Sequence, residues 1–358
     1  MRKRILFDVG HPAQVHQFKH VYWKLAEKGW EGLFTAKDKE VTLQLLKSYN
    51  LPYVCIGRTK KGLGNKIVNL PWTIFKFAKI VRDFKPDIIC SRFSPHSCWV
   101  SKVLGISHIG FADTEHTRLL DKITVPWVDL KVTPAAYQKD LGKNHFWFNG
   151  NIELFYLHPK IFIPNSEILK TLEIKEKDKY VVLRFVSWDA HHDLGQGGFS
   201  LEEKRMLVQK LSTSVKVLIT SEKPLPPDLQ KYQINVPAEH IHDILCYAQL
   251  YIGEGATMAS EAALLGTPSI YVNSLTAGII EEEIKYGLLF KFTNFKGVID
   301  KAIELVQNSS NESENRIKLH DFLTDKINIT EYVTWLVDNY PESKHQVLKD
   351  NNIQLRFK

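Results

Sequence analysis

The chain has 358 residues, of which 44% are hydrophobic and 24% are charged. This composition is typical of a globular protein, and the length favours two domains over one. No apolar run approaches the roughly 20 residues that a membrane-spanning helix needs. The short apolar segment near the N-terminus is interrupted by Asp8, so we expect no signal peptide and a cytoplasmic protein.

The charge is unevenly distributed along the chain. Residues 1–160 carry 25 basic and 13 acidic side chains, a net charge of +12, whereas residues 161–358 carry 22 and 27, a net charge of −5. We therefore expect the first half to meet an anionic substrate, a membrane surface or a nucleic acid. The four cysteines lack CxxC spacing, which indicates reduced thiols rather than a zinc site or a disulfide framework.

The first half of the chain alternates apolar strands with helices. Strands are predicted in RILFDVG, WEGLFTA, LPYVCIG, PDIICS and SHIGFA, and helices from about Val15 to Lys28 and in VTLQLLKSYN, PWTIFKFAKIVRDF and HSCWVSKVLG. This alternation implies parallel pairing, with helices covering the sheet. Residues 1–160 are therefore predicted to form one doubly wound domain.

A second alternation starts at KYVVLRFVS and continues through VKVLIT, YQINVP, LYIGEG and PSIYVNS, with a Pro- and Lys-rich linker before it. Residues 161–358 are predicted to form a second domain, unless the C-terminal helices return to the first. The predicted fold class is α/β, with two Rossmann-like doubly wound parallel-sheet domains that face a cleft.

The stretch LYIGEGATMASEAALLGTPSIYV, residues 250–272, reads as strand, glycine turn, helix and strand. A helix N-terminus presents unpaired backbone N–H groups and a partial positive charge, so that a diphosphate can bind there without a lysine. The alternative is that Gly253 and Gly255 only make a tight strand-to-helix turn. The turn by itself does not decide between these interpretations.

Other unusual polar residues also follow predicted strands. Ligands of open parallel sheets bind at the carboxyl ends of strands, so we expect these residues to converge on one site. They are His11 and His16; Arg92 and Ser94; Asp113, Glu115 and His116; and Arg184, Trp188, His191 and His192.

These residues carry a resemblance to known families. EGATMASEAALLGTPSI resembles the nucleotide-sugar-binding segment of GT-B enzymes, which include MurG-type N-acetylglucosaminyltransferases and UDP-GlcNAc 2-epimerases. GHPAQVHQFKHVYWKLAEKGWEGLFTAKD, SRFSPHSCWVSKVLGISHIGFADTEHTRLLDKIT and FNGNIELFYLHP are similar to segments of a GT-B-like domain of unknown function, DUF354. The resemblance spans most of residues 5–290.

The resemblance implies a donor site in the second domain. The turn and helix start would face the diphosphate, Glu261 would bind the ribose hydroxyls, and the region of His242 would approach the nucleobase. The turn and helix start consist of Gly253, Glu254, Gly255, Ala256, Thr257 and Met258. Asp243, beside His242, is more simply explained as a helix cap.

Arg184 and the loop WDAHHDLGQGGF, with Trp188, His191 and His192, are suited to gripping phosphates, although a plain surface loop is the alternative. No partnered ligand pattern supports a metal at the two histidines.

The first domain supplies the candidate catalytic residues. His16, just inside the first helix at the mouth of the cleft, is interpreted as the base that deprotonates an acceptor hydroxyl, as in inverting GT-B transferases. Asp113, Glu115 and His116 are acid–base or acceptor-positioning candidates, unless they only begin a helix. His11, Arg92 and Ser94 are assigned to the acceptor side.

The stretch GRTKKGLGNKIVNLPWTIFKFAKIVRDFK carries eight basic residues against one acid, Asp83, with Trp72, Phe75 and Phe77 among them. A basic amphipathic helix with aromatic residues can lie on an anionic membrane, which would suit a lipid-linked acceptor at the cytoplasmic face. The alternative is a helix that packs its apolar side on the sheet. Packing is the simpler explanation for Leu70, Ile74, Phe77, Val81 and Phe84. It leaves the lysines and Trp72 available for a membrane.

The leading hypothesis is a metal-independent glycosyltransferase of GT-B type. It would transfer a sugar from a nucleotide-sugar donor, UDP-linked by the resemblance, to a glycan or lipid-linked acceptor in surface polysaccharide biosynthesis, without a further cofactor. The alternative is a UDP-N-acetylhexosamine 2-epimerase with Asp113 or Glu115 as the base, although Arg92 lies near where those enzymes have an aspartate. A nucleic-acid-binding protein ranks third, since no such motif is present.

Overall fold

The computed structural model describes residues 2–58, 63–115, 118–175, 178–186, 199–221, 223–308 and 311–358. The chain divides into two compact units. The first unit consists of residues 1–161 and 326–358, and the second consists of residues 162–325. The structure thus assigns the end of the chain to the unit that contains its beginning.

The first unit contains a seven-stranded parallel sheet with the strand order β3-β2-β1-β4-β5-β6-β7. Its strands are β1 Arg4–Val9, β2 Glu31–Asp38, β3 Tyr53–Arg58, β4 Ile88–Ser91, β5 Ser107–Phe111, β6 Leu130–Pro134 and β7 His145–Phe148. Its helices up to this point are α1 Pro12–Glu27, α2 Thr42–Ser48, α3 Leu63–Phe84, α4 Pro95–Leu104, α5 Arg118–Thr124 and α6 Leu154–Leu157.

Helices cover both faces of this sheet because its central strands are apolar on both sides. On one face, Phe7 of β1 packs against Phe18 of α1 and Phe34 of β2. On the other face, Leu6 and Ile89 pack with Phe77 and Val81 of α3 and with Val100 of α4. This two-sided burial is typical of a doubly wound parallel sheet.

The second unit contains a five-stranded parallel sheet with the order β12-β11-β10-β8-β9. The strands are β8 Tyr180–Phe185, β9 Lys216–Ser221, β10 Leu250–Gly253, β11 Ser269–Val272 and β12 Leu289–Phe292. The helices are α7 Glu167–Lys170, α8 Leu201–Leu211, α9 Pro227–Gln230, α10 Ile241–Cys246, α11 Ala256–Leu264, α12 Gly278–Lys285, α13 Val298–Gln307 and α14 Asn311–Thr324. The predicted α/β class with two doubly wound parallel sheets is confirmed.

The last helices, α15 Ile329–Asp338 and α16 Glu342–Lys349, belong to the first unit. Helix α15 packs on α1 and α6, and its buried Thr330 donates a hydrogen bond to the carbonyl of Phe155.

Two sequence expectations differ from the structure. The segment YQINVP is not a strand, because its pairing with β9 is limited to the single bridge between Gln233 and Ile219. Helix α3 begins eight residues before the predicted start at Pro71, so this proline lies inside the helix.

Candidate functional site

A pocket of about 260 Å³ lies at the carboxyl ends of β1, β2 and β4 in the first unit. Ligands of open α/β sheets bind at this edge because loops and helix starts converge there. The pocket is lined by Asp8, Val9, Gly10, Gln14, Lys37, Lys39, Arg92, Ser94 and His96. Of these, the sequence analysis selected only Arg92 and Ser94.

A buried pair formed by Asp8 and His96 lies in this pocket. The Nε2 atom of His96 is 2.9 Å from Oδ2 and 3.1 Å from Oδ1 of the carboxylate. The hydroxyl of Thr35 donates to Oδ1 at 2.8 Å, and the hydroxyl of Ser94 donates to Oδ2. Burial raises the pKa of Asp8, but the charge of His96 and the three hydrogen-bond donors bring it below the usual value. The carboxylate therefore stays ionised.

Hydroxyl groups behind Asp8 hold Ser94 in place. Ser94 contacts Ser97 at 2.6 Å, and Ser97 donates to Ser91 at 2.9 Å. Ser91 in turn contacts Nε2 of His108 at 2.8 Å. Burial lowers the pKa of His108 to about 4, so its ring is neutral at pH 7 and one ring nitrogen can accept the hydrogen bond from Ser91. The floor of the pocket is thus ordered before any ligand binds.

Arg92 and Asp113 form an ion pair at this edge. Arg92 also donates to Oε1 of Gln17 at 3.3 Å, and Thr114 donates to the carboxylate of Asp113 at 2.8 Å. Asp113 is therefore engaged by a cation and a hydroxyl. Glu115 accepts a hydrogen bond from the backbone N–H of Gln138, whereas the predicted site residue His116 lies outside the described residues.

His16 lies inside the first helix, as predicted, and its role as the base stays a prediction. Its ring is buried within α1, where it contacts the rings of Tyr49 and Tyr156, and its Nδ1 lies 3.3 Å from the hydroxyl of Tyr49. His16 does not line the pocket. His11 caps α1, since its Nδ1 accepts a hydrogen bond from the N–H of Ala13, so its side chain has a structural use.

In the second unit, the turn between β10 and α11 has the predicted form. Gly255 is the N-cap residue of α11 and has no side chain with which to cap the helix, and the first backbone N–H groups of a helix have no partner within it. Arg184 of β8 is the register partner of Gly253. A Cβ atom at Gly253 would overlap the hydroxyl of Tyr251, so packing against this tyrosine explains the glycine. The residues of the first turn are Ala256, Thr257 and Met258.

The side chain of Glu254 has a role that the sequence did not reveal. Its buried carboxylate accepts hydrogen bonds from the backbone N–H groups of Val186, at 2.9 Å, and Phe199, at 2.5 Å. Asn273 donates to its backbone carbonyl at 3.0 Å. Glu254 therefore binds the backbone of both Val186 and Phe199. The predicted site residues Trp188, His191 and His192 lie between these two positions and outside the described residues.

His242 of α10 and Glu261 of α11 form a buried pair, with 3.1 Å between Nε2 and Oε1. The ring of Phe162 contacts His242 edge-on. Both residues were predicted from the sequence to lie at the donor site, and the structure brings them together. The partnership was not predicted, because the two residues lie on consecutive helices whose packing the sequence does not show.

Among the described residues, no group of three His, Cys, Asp or Glu side chains has the arrangement of a metal site. Within the same part of the chain, no helix is long and apolar enough to cross a membrane.

A family model described as "Protein of unknown function (DUF354)" matches residues 3–334. The chain belongs to this family. A curated relative, described as uncharacterized protein MJ0665 of Methanocaldococcus jannaschii, is 24% identical over 282 residues, which cover 74% of this chain and 80% of that protein.

Solved structures with the same fold include two kinds of enzyme. The S. aureus MnaA–UDP co-structure has a TM-score of 0.70 at 13% identity and covers 95% of this chain and 97% of its own. The UDP-GlcNAc 2-epimerase from Neisseria meningitidis bound to UDP-GlcNAc has a TM-score of 0.62 at 13% identity, covering 89% and 99%. The Streptomyces sp. SF2575 glycosyltransferase SsfS6 has a TM-score of 0.61 at 14% identity, covering 94% and 100%. The DUF354 chain therefore has the GT-B fold, as predicted.

Proposed function

We propose that this DUF354 protein is a glycosyltransferase that moves a sugar from a nucleotide-sugar donor to an acceptor hydroxyl. The observation that carries the proposal is the buried pair of Asp8 and His96 in a pocket of the first unit. A carboxylate at this place can accept the hydrogen bond of an acceptor hydroxyl and take its proton as the new bond forms. The base predicted from the sequence, His16, does not line this pocket and stays a separate prediction.

The donor would bind at the second unit. The start of α11, with Gly255 at its N-cap, offers backbone N–H groups to a diphosphate, and Arg184 on the neighbouring strand adds positive charge. Glu261 would meet the ribose, with His242 fixing the orientation of its carboxylate. MnaA was solved with UDP, and we extend this to a UDP-linked donor.

In the proposed reaction, the acceptor oxygen loses its proton to Asp8 and forms a bond to the anomeric carbon. The bond from that carbon to the diphosphate oxygen breaks, and the electron pair leaves with the nucleoside diphosphate. The helix start and Arg184 would stabilise this developing charge. No step requires a metal ion. A glycan or lipid-linked acceptor of surface polysaccharide synthesis, at the cytoplasmic face of a membrane, would fit this chemistry.

The second candidate is a nucleotide-sugar 2-epimerase, which the shared fold with the Neisseria enzyme favours. An epimerase needs a base that removes a carbon-bound proton, and the sequence indicated Asp113 or Glu115 for this role. Asp113 pairs with Arg92 and Thr114, and Glu115 accepts a hydrogen bond from the N–H of Gln138. Incubation with the nucleotide sugar alone separates the two, because only an epimerase converts the sugar without an acceptor.

The first test is a thermal-shift panel with UDP, GDP, CMP, ADP and their common sugar conjugates. A ligand that binds only the folded state raises the melting temperature. We expect one nucleotide to stabilise the protein, and Glu261→Ala to remove that shift. Glu202→Ala, on the exposed side of α8, is the matched control and should keep it. A panel without any shift at millimolar concentration would end the nucleotide-sugar proposal.

A further inference from the structure

One stripe of α3 exposes apolar side chains to solvent over two helical turns. Val68, Trp72 and Phe75 are 78%, 57% and 61% exposed, and they lie on one side of the helix because they are spaced four and three residues apart. Lys79 and Arg82 continue the same stripe and are exposed as well. The stripe is therefore apolar in its first half and basic in its second.

This stripe is distinct from the side of α3 that packs on the sheet. Phe77 and Val81 are buried against Leu6 and Ile89. Phe77 and Val81 therefore pack α3 on the sheet, and the exposed rings of Trp72 and Phe75 lie outside this contact. The rings of Trp72 and Phe75 stack on each other at 5.7 Å, and the ammonium of Lys76 lies 5.4 Å from the Trp72 ring. Single exposed apolar residues are ordinary, whereas a contiguous aromatic stripe marks an interaction site.

The stripe lies near the candidate site. Because β3 and β4 are parallel, α3 must run back from the carboxyl edge of the sheet, and its first half lies at that edge. Phe77, midway along α3, contacts the ring of His96 at 5.1 Å. Helix α5, which follows β5 at the same edge, exposes Leu119 and Ile123. Helix α4 contacts both α3 and α5, so the exposed residues of α3 and α5 belong to helices that flank the same helix of the first unit.

We propose that this docking face, defined by Val68, Trp72, Phe75, Leu119 and Ile123, binds the surface of a lipid bilayer that contains anionic lipids. Aromatic side chains favour the headgroup region of a bilayer, and lysine stems can lie along apolar surface while their ammonium groups reach lipid phosphates. Helix α3 carries four basic residues and one acidic residue, and basic residues next to an apolar stripe complement anionic lipid.

Docking at this face brings the pocket of Asp8 and His96 close to the bilayer surface. A lipid-linked acceptor would then reach the pocket without leaving the membrane. This last step rests on the proposed transferase function, whereas lipid binding by the docking face does not. The two are separable, because vesicle binding is measured without nucleotide and nucleotide binding is measured without vesicles.

The experiment is vesicle flotation of the intact chain. One set of vesicles is pure phosphatidylcholine, and the other contains about 30% phosphatidylglycerol. We expect the protein to float with the anionic vesicles at about 0.1 M salt and to bind less at about 0.5 M, since salt screens the lysines. The variant Trp72→Ser/Phe75→Ser should weaken binding by about tenfold or more, because it removes the apolar contact. Lys76→Gln/Lys79→Gln should weaken binding and reduce its salt dependence.

Ile317→Ser is the matched control. Ile317 is also an exposed apolar residue on a helix, but it belongs to the second unit, so this change should leave flotation unaltered. Equal flotation of the wild type and the Trp72→Ser/Phe75→Ser variant, both folded by circular dichroism, would overturn the proposal. Absence of flotation with anionic vesicles at low salt would do the same. If sedimentation shows a dimer that this variant converts to monomers, and no vesicles bind, the face is a self-association surface instead.

Discussion

The carboxylate of Glu254 accepts a hydrogen bond from the backbone N–H of Val186 at 2.9 Å and so ties the β10–α11 turn to the end of β8. A second bond, from the N–H of Phe199, ties the same carboxylate to the start of the segment that leads into α8. One buried side chain therefore fixes three pieces of backbone around the proposed donor site.

We expect Glu254→Ala to destabilise the second unit by about 2–5 kcal/mol, because the buried N–H of Phe199 and the partly buried N–H of Val186 lose their acceptor. Glu254→Gln should cost less, about 1–3 kcal/mol, since its amide oxygen can accept from one N–H while its NH₂ group faces the other. Denaturant unfolding monitored by circular dichroism measures both. Glu202→Ala, which is exposed on α8, is the control. Similar unfolding midpoints for Glu254→Ala and Glu202→Ala would contradict this role.

Asp8→Asn should lower the rate of sugar transfer by about 10²–10⁴-fold, the usual contribution of an acid–base group. His96→Gln should lower the rate as well, because it removes the partner that favours the ionised carboxylate. Asp38→Asn, which loses only a surface pair with Arg58, should retain activity. Rates are measured with a donor identified by the thermal-shift panel, and melting curves check that each variant is folded. Transfer by Asp8→Asn at the wild-type rate would remove Asp8 from the reaction.

The pKa of Asp8 also predicts how stability depends on pH. Its pKa in the folded state is below the usual value of 3.8, so its stabilising effect is fully present above that pH and is lost as the pH falls through the lower, folded-state value. The difference in unfolding free energy between the wild type and Asp8→Asn should therefore be constant above about pH 5 and shrink below about pH 4. A difference that changes between pH 6 and 8 would point to another group.

The fold could be read from the sequence because strands buried on both faces are continuous apolar runs, and alternating helices leave only parallel pairing. The start of α3 was missed because a proline usually begins a helix rather than lying inside one. The segment YQINVP has strand-forming residues but makes only a single bridge to β9. Whether such residues form a strand depends on the side chains and strands that they pack against, which the sequence does not show.

The partners within the site were much less predictable than the fold. Asp8 and His96 are 88 residues apart in the chain, and only the register that pairs Asp8 with Ser91 brings them together. The sequence did contain one indication of the pocket, which is the charged residue Asp8 in the apolar strand RILFDVG. Buried carboxylates are seldom without a role. Glu254 stays a predicted ligand-binding residue, and the sequence did not reveal the two hydrogen bonds that its carboxylate accepts from the protein's own backbone.

Gly253→Ala should destabilise the second unit by about 1–3 kcal/mol, because the added methyl group overlaps the hydroxyl and ring of Tyr251. Tyr251→Phe should change the unfolding free energy by less than about 1 kcal/mol, since the buried hydroxyl has no hydrogen-bond partner among the described residues. Thermal unfolding of both variants provides the check. A large loss of stability in Tyr251→Phe would show that the hydroxyl is hydrogen-bonded in solution, for example to a buried water.

Gly110→Ala should disturb the first-unit pocket by displacing the ring of Phe93. A Cβ atom at this position would overlap the ring of Phe93, which lies between the pocket residues Arg92 and Ser94 and has a left-handed φ of 52°. We expect a loss of about 1–3 kcal/mol in stability and a weaker activity than the stability loss alone explains. Gly150→Ala is the control, because its Cβ would make only ordinary contacts at 3.5 Å. Equal behaviour of the two variants would contradict the packing argument.

His20 provides a test of pH dependence away from the pocket. Burial, with the positive charges of Lys19 and Lys24, lowers its pKa from 6.5 to about 3. The folded protein therefore keeps His20 neutral at a pH where the unfolded chain binds a proton, so its contribution favours unfolding as the pH falls below about 6.5. His20→Gln should reduce the slope of unfolding free energy between about pH 6 and 4 by up to about 1.4 kcal/mol per pH unit, which corresponds to one proton. Denaturant unfolding at a series of pH values measures this slope. An unchanged slope would mean that the His20 ring titrates normally in the folded protein.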